Sequence, residues 1–183
     1  MKKSVKVLAI LFVLLIVSFY IDNFVINLIK TIRSGLLDKT FIFIGKYLNY
    51  YILAFVITLV PLLKEKERIR NLLKFWVSFL SAGLVVYILK ILIARPRPLL
   101  SLIEESSYSF PSGHATIMFA LLPIFISSFK EYKYFWLFFA LLISFSRIYL
   151  GVHYLSDVIG GIIMGLIVGT NIIKVFKLKL KYG

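Results

Sequence analysis

The chain has 183 residues, 61% of them hydrophobic and only 16% charged, with a mean hydropathy of +0.95. Soluble domains carry about 45–50% apolar residues, and a domain this small has too little interior to hide more. A soluble globule is therefore excluded, as is a disordered chain. Lys and Arg number 22 against 8 Asp and Glu, a formal charge of +14. On a soluble protein that balance would suggest nucleic acid. On an apolar chain it reads as the Lys/Arg excess of cytoplasmic loops, so no nucleic-acid partner is expected. There is no Cys, which excludes disulfide and thiol chemistry.

The predicted elements follow in chain order. Lys2, Lys3 and Lys6 precede an apolar run from Val7 to Phe19. No small-x-small cleavage pattern follows, so the run reads as an uncleaved first span rather than a signal peptide. Residues 22–40 mix Phe24, Val25, Leu28 and Ile32 with Asp22, Asn23, Lys30 and Arg33. Spacing of three and four predicts a short amphipathic helix in the interface, with Asp22 at the outer water boundary. Phe41 to Leu63 is a second span, and Lys64 to Arg68 a solvated turn. Leu72 to about Ile93 is a third span. The polar stretch Arg95 to Ser109 separates it from a fourth, Ser112 to Phe129. Tyr134 to Leu150 and about Leu155 to Phe176 are the fifth and sixth. Each span takes about 20 residues, so 183 residues make one all-α six-transmembrane-helix bundle, a single integral membrane domain over 1–183.

An even number of spans puts both termini on one side. That side carries 14 Lys and Arg and the other 8, so the termini are expected in the cytoplasm. Trp76, Tyr132, Tyr134 and Trp136 read as the aromatic belt of that inner side. Gly161, Gly165 and Gly169 form a small-x3-small row for close helix packing.

Three polar clusters interrupt the apolar pattern. They are Lys90-x6-Arg97-Pro98, Pro111-Ser112-Gly113-His114, and Ser146-Arg147-x5-His153-x3-Asp157. In the up-and-down topology all three fall on the outer side, and ionisable residues near a membrane are costly enough to mark function. Lys90, Arg97 and Arg147 read as cations without a carboxylate each. Arg offers a planar fork that matches phosphate oxygens, and Lys adds a point charge. Ser112 and Gly113 open a helix, whose free N–H groups favour an anion. His153 and Asp157, four apart, share a helix face. A carboxylate on one imidazole nitrogen leaves the other as nucleophile or base, and His114 remains as acid.

These residues resemble the three signature motifs of the type 2 phosphatidic acid phosphatase superfamily, membrane lipid phosphatases related to soluble vanadium haloperoxidases. Every motif position is matched, in order, over residues 90–157. The resemblance implies a phosphohistidine on His153, oriented by Asp157, with His114 as general acid. It implies a phosphate pocket of Lys90, Arg97, Ser112, Gly113 and Arg147, with no metal and no cofactor. Its bacterial members act on lipid A 1-phosphate, undecaprenyl diphosphate, phosphatidylglycerophosphate or phosphatidic acid. The basic rim of Lys30, Arg33, Lys39 and Lys46 suits a bulky, multiply charged headgroup, which favours the first two. The implied setting is a bacterial inner membrane with a periplasmic active site. The partners are the bilayer and a phosphorylated lipid, with no obligate protein partner.

Several side chains read more simply. Arg95 lies outside the motifs and is expected to be solvated or to face headgroups. Glu104 and Glu105 are expected to be solvated in the outer loop. A zinc site on His114, His153 and a glutamate is disfavoured by the surrounding cations. A transporter would place charges at the bilayer midplane within an inverted repeat, and no repeat is visible. A vanadate-dependent oxidant would use the same pocket, but a membrane-embedded chain argues against it.

Overall fold

The structure, a computed structural model, describes residues 2–45 and 65–182, and all the regular structure there is helical. Helix α1 spans Lys2–Ile32, and residues 35–45 form α2. Helix α3 spans Glu65–Ile93 and α4 Gly113–Ser128. A 3-10 turn, Lys130–Tyr132, leads into α5, Lys133–Tyr149, and α6 spans Leu155–Tyr182. Among the described residues, three stretches are long and apolar enough to cross a membrane: Lys6–Ile32, Ile69–Ile93 and Leu155–Lys177. Helix α4 is apolar but shorter, and the expected second span falls mostly outside the described residues.

Two boundaries differ from expectation. Helix α1 does not stop after an apolar span but continues through residues 22–32, breaking only at Arg33 and Ser34. No Gly or Pro interrupts the stretch from Asp22 to Ile32, and Ile29 is buried in the core; the following helix therefore begins only at residue 35. The expected turn at Glu65–Arg68 is the start of α3. Glu, Lys and Arg are good helix formers, and acidic residues suit a helix N-terminus.

Helix α4 lies at the centre. It is apolar on all sides, the pattern of a buried helix, and Ala115, Phe119, Ala120, Leu121 and Leu122 are all buried. Beyond its N-terminal Gly113, α6 packs directly on it. A Cβ on Gly161 would come within 2.8 Å of the Ser112 carbonyl, and one on Gly165 within 2.9 Å of Ala120 N. One on Gly169 would collide with the Ala120 carbonyl. The glycine row thus lets two backbones touch. On another side Ser78 of α3 donates to Ala120 O at 3.0 Å. Away from the polar clusters the core is aromatic, with Phe125 stacked on Trp136 at 4.8 Å between centroids. Trp136, expected in the interfacial belt, is 8% exposed and belongs to this core, because α5 turns it inward while Tyr134 stays outside. The outer surface carries exposed Phe12, Val13 and Phe24 of α1, Leu80 and Leu84 of α3, and Phe138 of α5. An apolar surface this extensive needs a lipid solvent.

The chain gathers its polar residues at one end. Arg33, between α1 and α2, donates to Leu100 O at 3.0 Å and to Tyr149 O at 3.2 Å. Tyr149 Oη donates to Asp38 Oδ1 at 2.6 Å. The C-termini of α1, α3 and α5 and the N-termini of α4 and α6 therefore meet on one face.

Candidate active site

Each polar cluster sits where a helix begins or ends, so its side chains leave the apolar layer while its backbone stays anchored. Lys90 is in the last turn of α3; Nζ donates to the Tyr108 carbonyl and, at 3.3 Å, to Ser107 Oγ. The connection from α3 to α4 is tied by Ser109 N to Arg95 O, 2.9 Å. Arg97 donates from Nε to Ser107 O and from Nη1 to Val152 O, both 2.6 Å. Ser112 precedes α4 in an extended conformation, and its N–H donates to Asp157 O at 3.0 Å. Arg147 is in the last turn of α5 and only 1% exposed. The turn from α5 to α6 passes through Gly151 at φ 69°, where a Cβ would sit 2.5 Å from Leu100 O. Glycine meets both demands.

His153 lies in that turn and is 2% exposed. Its Nδ1 stands 3.5 Å from Asp157 Oδ2, an ion-pair distance with no hydrogen bond formed. Its Nε2 stands 3.3 Å from Arg97 Nη1. Burial pushes the imidazole down to about 4, and the attraction of Asp157 only partly opposes this. At neutral pH the ring is uncharged, with a guanidinium beside its outer nitrogen. Asp157 is fully buried. One residue beyond Ser156 in the first turn of α6, it accepts from Tyr154 N at 2.8 Å, the returning half of a capping box.

His114, at the N-terminus of α4, lies within electrostatic range of Arg147, His153, Arg97 and Lys90. It borders a cavity of about 550 Å³ formed with Ile42 and Gly45 of α2 and Leu102 to Glu105 of the loop. All eight expected site residues thus lie at the same end of the bundle. Three of their buried polar atoms, Ser112 Oγ, Arg147 Nε and His153 Nδ1, have no hydrogen-bond partner among the described residues.

Three expectations are corrected. Glu105 keeps solvent exposure but is ion-paired: Oε1 accepts from Arg147 Nη2 at 2.6 Å, and Oε2 lies 3.7 Å from Arg97 Nη2. The arginines therefore do have a nearby carboxylate. The loop folds back over the cations because two guanidiniums beside an apolar core attract the nearest anion. Arg95 is partly buried and faces carboxylates rather than headgroups. Its Nη1 donates to Ser156 Oγ and to Asp157 Oδ1, each at 2.6 Å, and its Nη2 to Asp22 Oδ2 at 2.8 Å. Asp22 is 3% exposed and so is buried rather than at a water boundary. It accepts from Ser156 N at 2.9 Å and so caps α6 from α1. Motif spacing gives no hint of Asp22. The available signal is a lone carboxylate in an apolar helix, which needs a cation near it.

The family model of the PAP2 superfamily matches residues 71–181. The chain belongs to the PAP2 superfamily. All eight expected site residues lie inside the matched segment, and α1 lies outside it. Members of this superfamily are phosphatases acting on phosphate esters of lipids. The chain is 38% identical over 106 residues to phosphatidylglycerophosphatase B of Bacillus subtilis, an alignment covering 51% of the chain and 52% of that protein. The chain thus spans about half the length of this relative. It is 30% identical to undecaprenyl-diphosphatase of Sulfolobus acidocaldarius, over 85% of the chain and 84% of that protein. The crystal structure of Aquifex aeolicus LpxE superposes with a TM-score of 0.74 at 28% identity, covering 84% of this chain and 95% of that one. A transmembrane PAP2 type phosphatase from Bacillus subtilis, at 24% identity and a TM-score of 0.70, covers 94% of this chain and 96% of its own, and it supports the fold.

Proposed function

We propose that this PAP2 protein is a metal-independent membrane lipid phosphatase working through a phosphohistidine intermediate. The observation that carries the reading is the pair of orphaned buried donors, Ser112 Oγ and Arg147 Nε, at the end of the bundle that holds the His153–Arg97 contact. Buried donors are nearly always satisfied, and a tetrahedral oxyanion would satisfy both. Lys90, Arg97, Ser112, Gly113 and Arg147 bind the phosphoryl oxygens and neutralise charge that grows in the transition state. Glu105 leaves Arg147 as the phosphate arrives.

His153 Nε2 then attacks phosphorus. The bond from phosphorus to the lipid oxygen breaks, and His114 protonates that oxygen, releasing the lipid. Asp157 accepts the Nδ1–H of His153 and stabilises the positive charge the ring acquires. Water, deprotonated by His114, attacks the phosphohistidine, and the N–P bond breaks to release inorganic phosphate.

The protein is read as a single domain of six spans in a bacterial inner membrane, with the termini cytoplasmic and the site periplasmic. Lipid A 1-phosphate or undecaprenyl diphosphate is the favoured substrate. The relative aligned over most of both chains, an undecaprenyl-diphosphatase, supports the second. Phosphatidylglycerophosphate and phosphatidic acid are the alternatives, the former supported by the phosphatidylglycerophosphatase B relative. The test is phosphate release from all four lipids, with trapping of labelled phosphoenzyme. Wild-type protein should release phosphate in the presence of EDTA, and His153→Ala should release none and retain no label. Label retained on His153→Ala, or activity abolished by EDTA and restored by a metal, would refute the mechanism.

A further inference from the structure

Asp22 and Arg95 belong to none of the three motifs, yet a continuous hydrogen-bond network joins them to Ser156 and Asp157. We propose that they are a positioning pair that locks the Asp157 carboxylate and, through it, the His153 ring. The inference rests on the phosphatase reading above.

The argument begins with the acceptors of Asp157. Oδ1 receives Arg95 Nη1 at 2.6 Å, and Oδ2 receives Tyr154 N at 2.8 Å. The two bonds fix the carboxylate plane, and the remaining capacity of Oδ2 faces His153 Nδ1, 3.5 Å away. Without the Arg95 bond, Asp157 could rotate about its side chain and the imidazole would lose its reference. Arg95 is itself held on several sides. It bonds to Ser156 Oγ and Asp22 Oδ2, and its guanidinium lies over the Phe19 and Tyr154 rings at 5.0 and 4.2 Å. Asp22 is anchored in turn by the N–H and hydroxyl of Ser156.

Charge supports the same assignment. The side chains of Asp22 and Asp157 are 4% and 0% exposed, and two buried carboxylates repel unless a cation bridges them. Arg95 is that bridge. Burial works against its charge, but the bonds and attraction of Asp22 and Asp157 outweigh this and hold the guanidinium above its ordinary value. A planar fork reaches three acceptors at once, which an ammonium does not. With those bonds made and both ring contacts in place, Arg95 is committed to the carboxylates rather than to phosphate. Arg97, by contrast, touches His153 directly. Helix α1, which the family match does not include, thereby supports the nucleophile.

The test uses the full-length protein in detergent. It measures phosphoenzyme formation from labelled undecaprenyl diphosphate, or from whichever of the four lipids wild type turns over, together with inhibition by orthovanadate. Arg95→Gln should slow phosphoenzyme formation about 100-fold, the size of effect that a small misplacement of reacting groups produces. Asp22→Asn should slow it by about 10-fold, with Arg95→Lys between wild type and Arg95→Gln. Vanadate inhibition should shift by less than about threefold, because Arg95 does not touch the phosphate. In an Asp157→Asn background Arg95→Gln should add less than about twofold, since coupled residues are non-additive.

Arg95→Gln within about twofold of wild type would overturn the inference, as would a full penalty repeated in the Asp157→Asn background. A rise in the vanadate constant matching the fall in rate would make Arg95 a phosphate ligand and overturn it too. If Arg95→Gln gives no folded protein by thermal melt, the isosteric Asp22→Asn carries the same cycle. A wild-type protein that labels with none of the four lipids refutes the phosphatase reading and this inference with it. Labelling of wild type with no effect at Asp22 and Arg95 refutes this inference alone.

Discussion

A buried imidazole beside a guanidinium keeps its nitrogen lone pair to lower pH than one in water. An ordinary imidazole is half protonated near pH 6.5, but burial takes His153 to about 4. The sign follows: between these values the folded enzyme still presents a neutral ring. The acid limb of phosphoenzyme formation that reports the proposed nucleophile should therefore fall through about pH 4 rather than near 6.5. A rate–pH profile with its acid limb centred near 6.5 would contradict this. The same shift affects stability. The unfolded chain takes up this proton at higher pH than the folded chain, so stability declines across that window as the solution is acidified. Of the residues in the site, the motif members were legible because their types and spacing repeat a known chemistry. Arg95, Glu105 and Asp22 were not, because a partner 42 to 134 positions away in sequence leaves no local pattern.

At the scale of elements, the contact between α4 and α6 fixes the distance between the two histidine-bearing helix ends. Gly165 faces the α4 backbone, where an added Cβ would meet Ala120 N and Phe119 Cβ at 2.9 Å. Backbone cannot yield as a side-chain tip can, so Gly165→Ala should destabilise the protein by about 1–3 kcal/mol and lower turnover. Gly83 of α3 has nothing within 4 Å of a Cβ. Gly83→Ala should instead stabilise by about 0.5–1 kcal/mol through helix propensity alone. Thermal melts in detergent distinguish the two, and equal effects at both sites would refute the packing account. The four-residue rhythm of the glycines identified the packing row from sequence; the identity of the partner helix was not readable there.

Among the described residues, the polar ends of five helices collect on one face, and a group of lysines lies at the opposite end. Lys130, Lys133, Lys174 and Lys177 lie at the ends of α4, α5 and α6 away from the site. The positive-inside rule leads us to expect that end in the cytoplasm. A reporter fused at the C-terminus should be active as a cytoplasmic fusion, and one inserted in the loop near Leu99, which is fully exposed, should report from the periplasm. The reverse labelling would overturn an external site.

The sequence by itself determined the membrane class, the helical class and the members of the three motifs. Those depend on composition, hydropathy and short-range spacing, which a chain carries along its length. Only the tertiary structure decided that α1 continues past Asp22 to reach α6, that Glu105 rests on Arg147, and that Arg95 bridges Asp22 and Asp157. Each of these is a meeting of opposite charges excluded from water at the junction of helices distant in sequence. In a low-dielectric site such charges must find one another, and which ones do is fixed by how the helices pack.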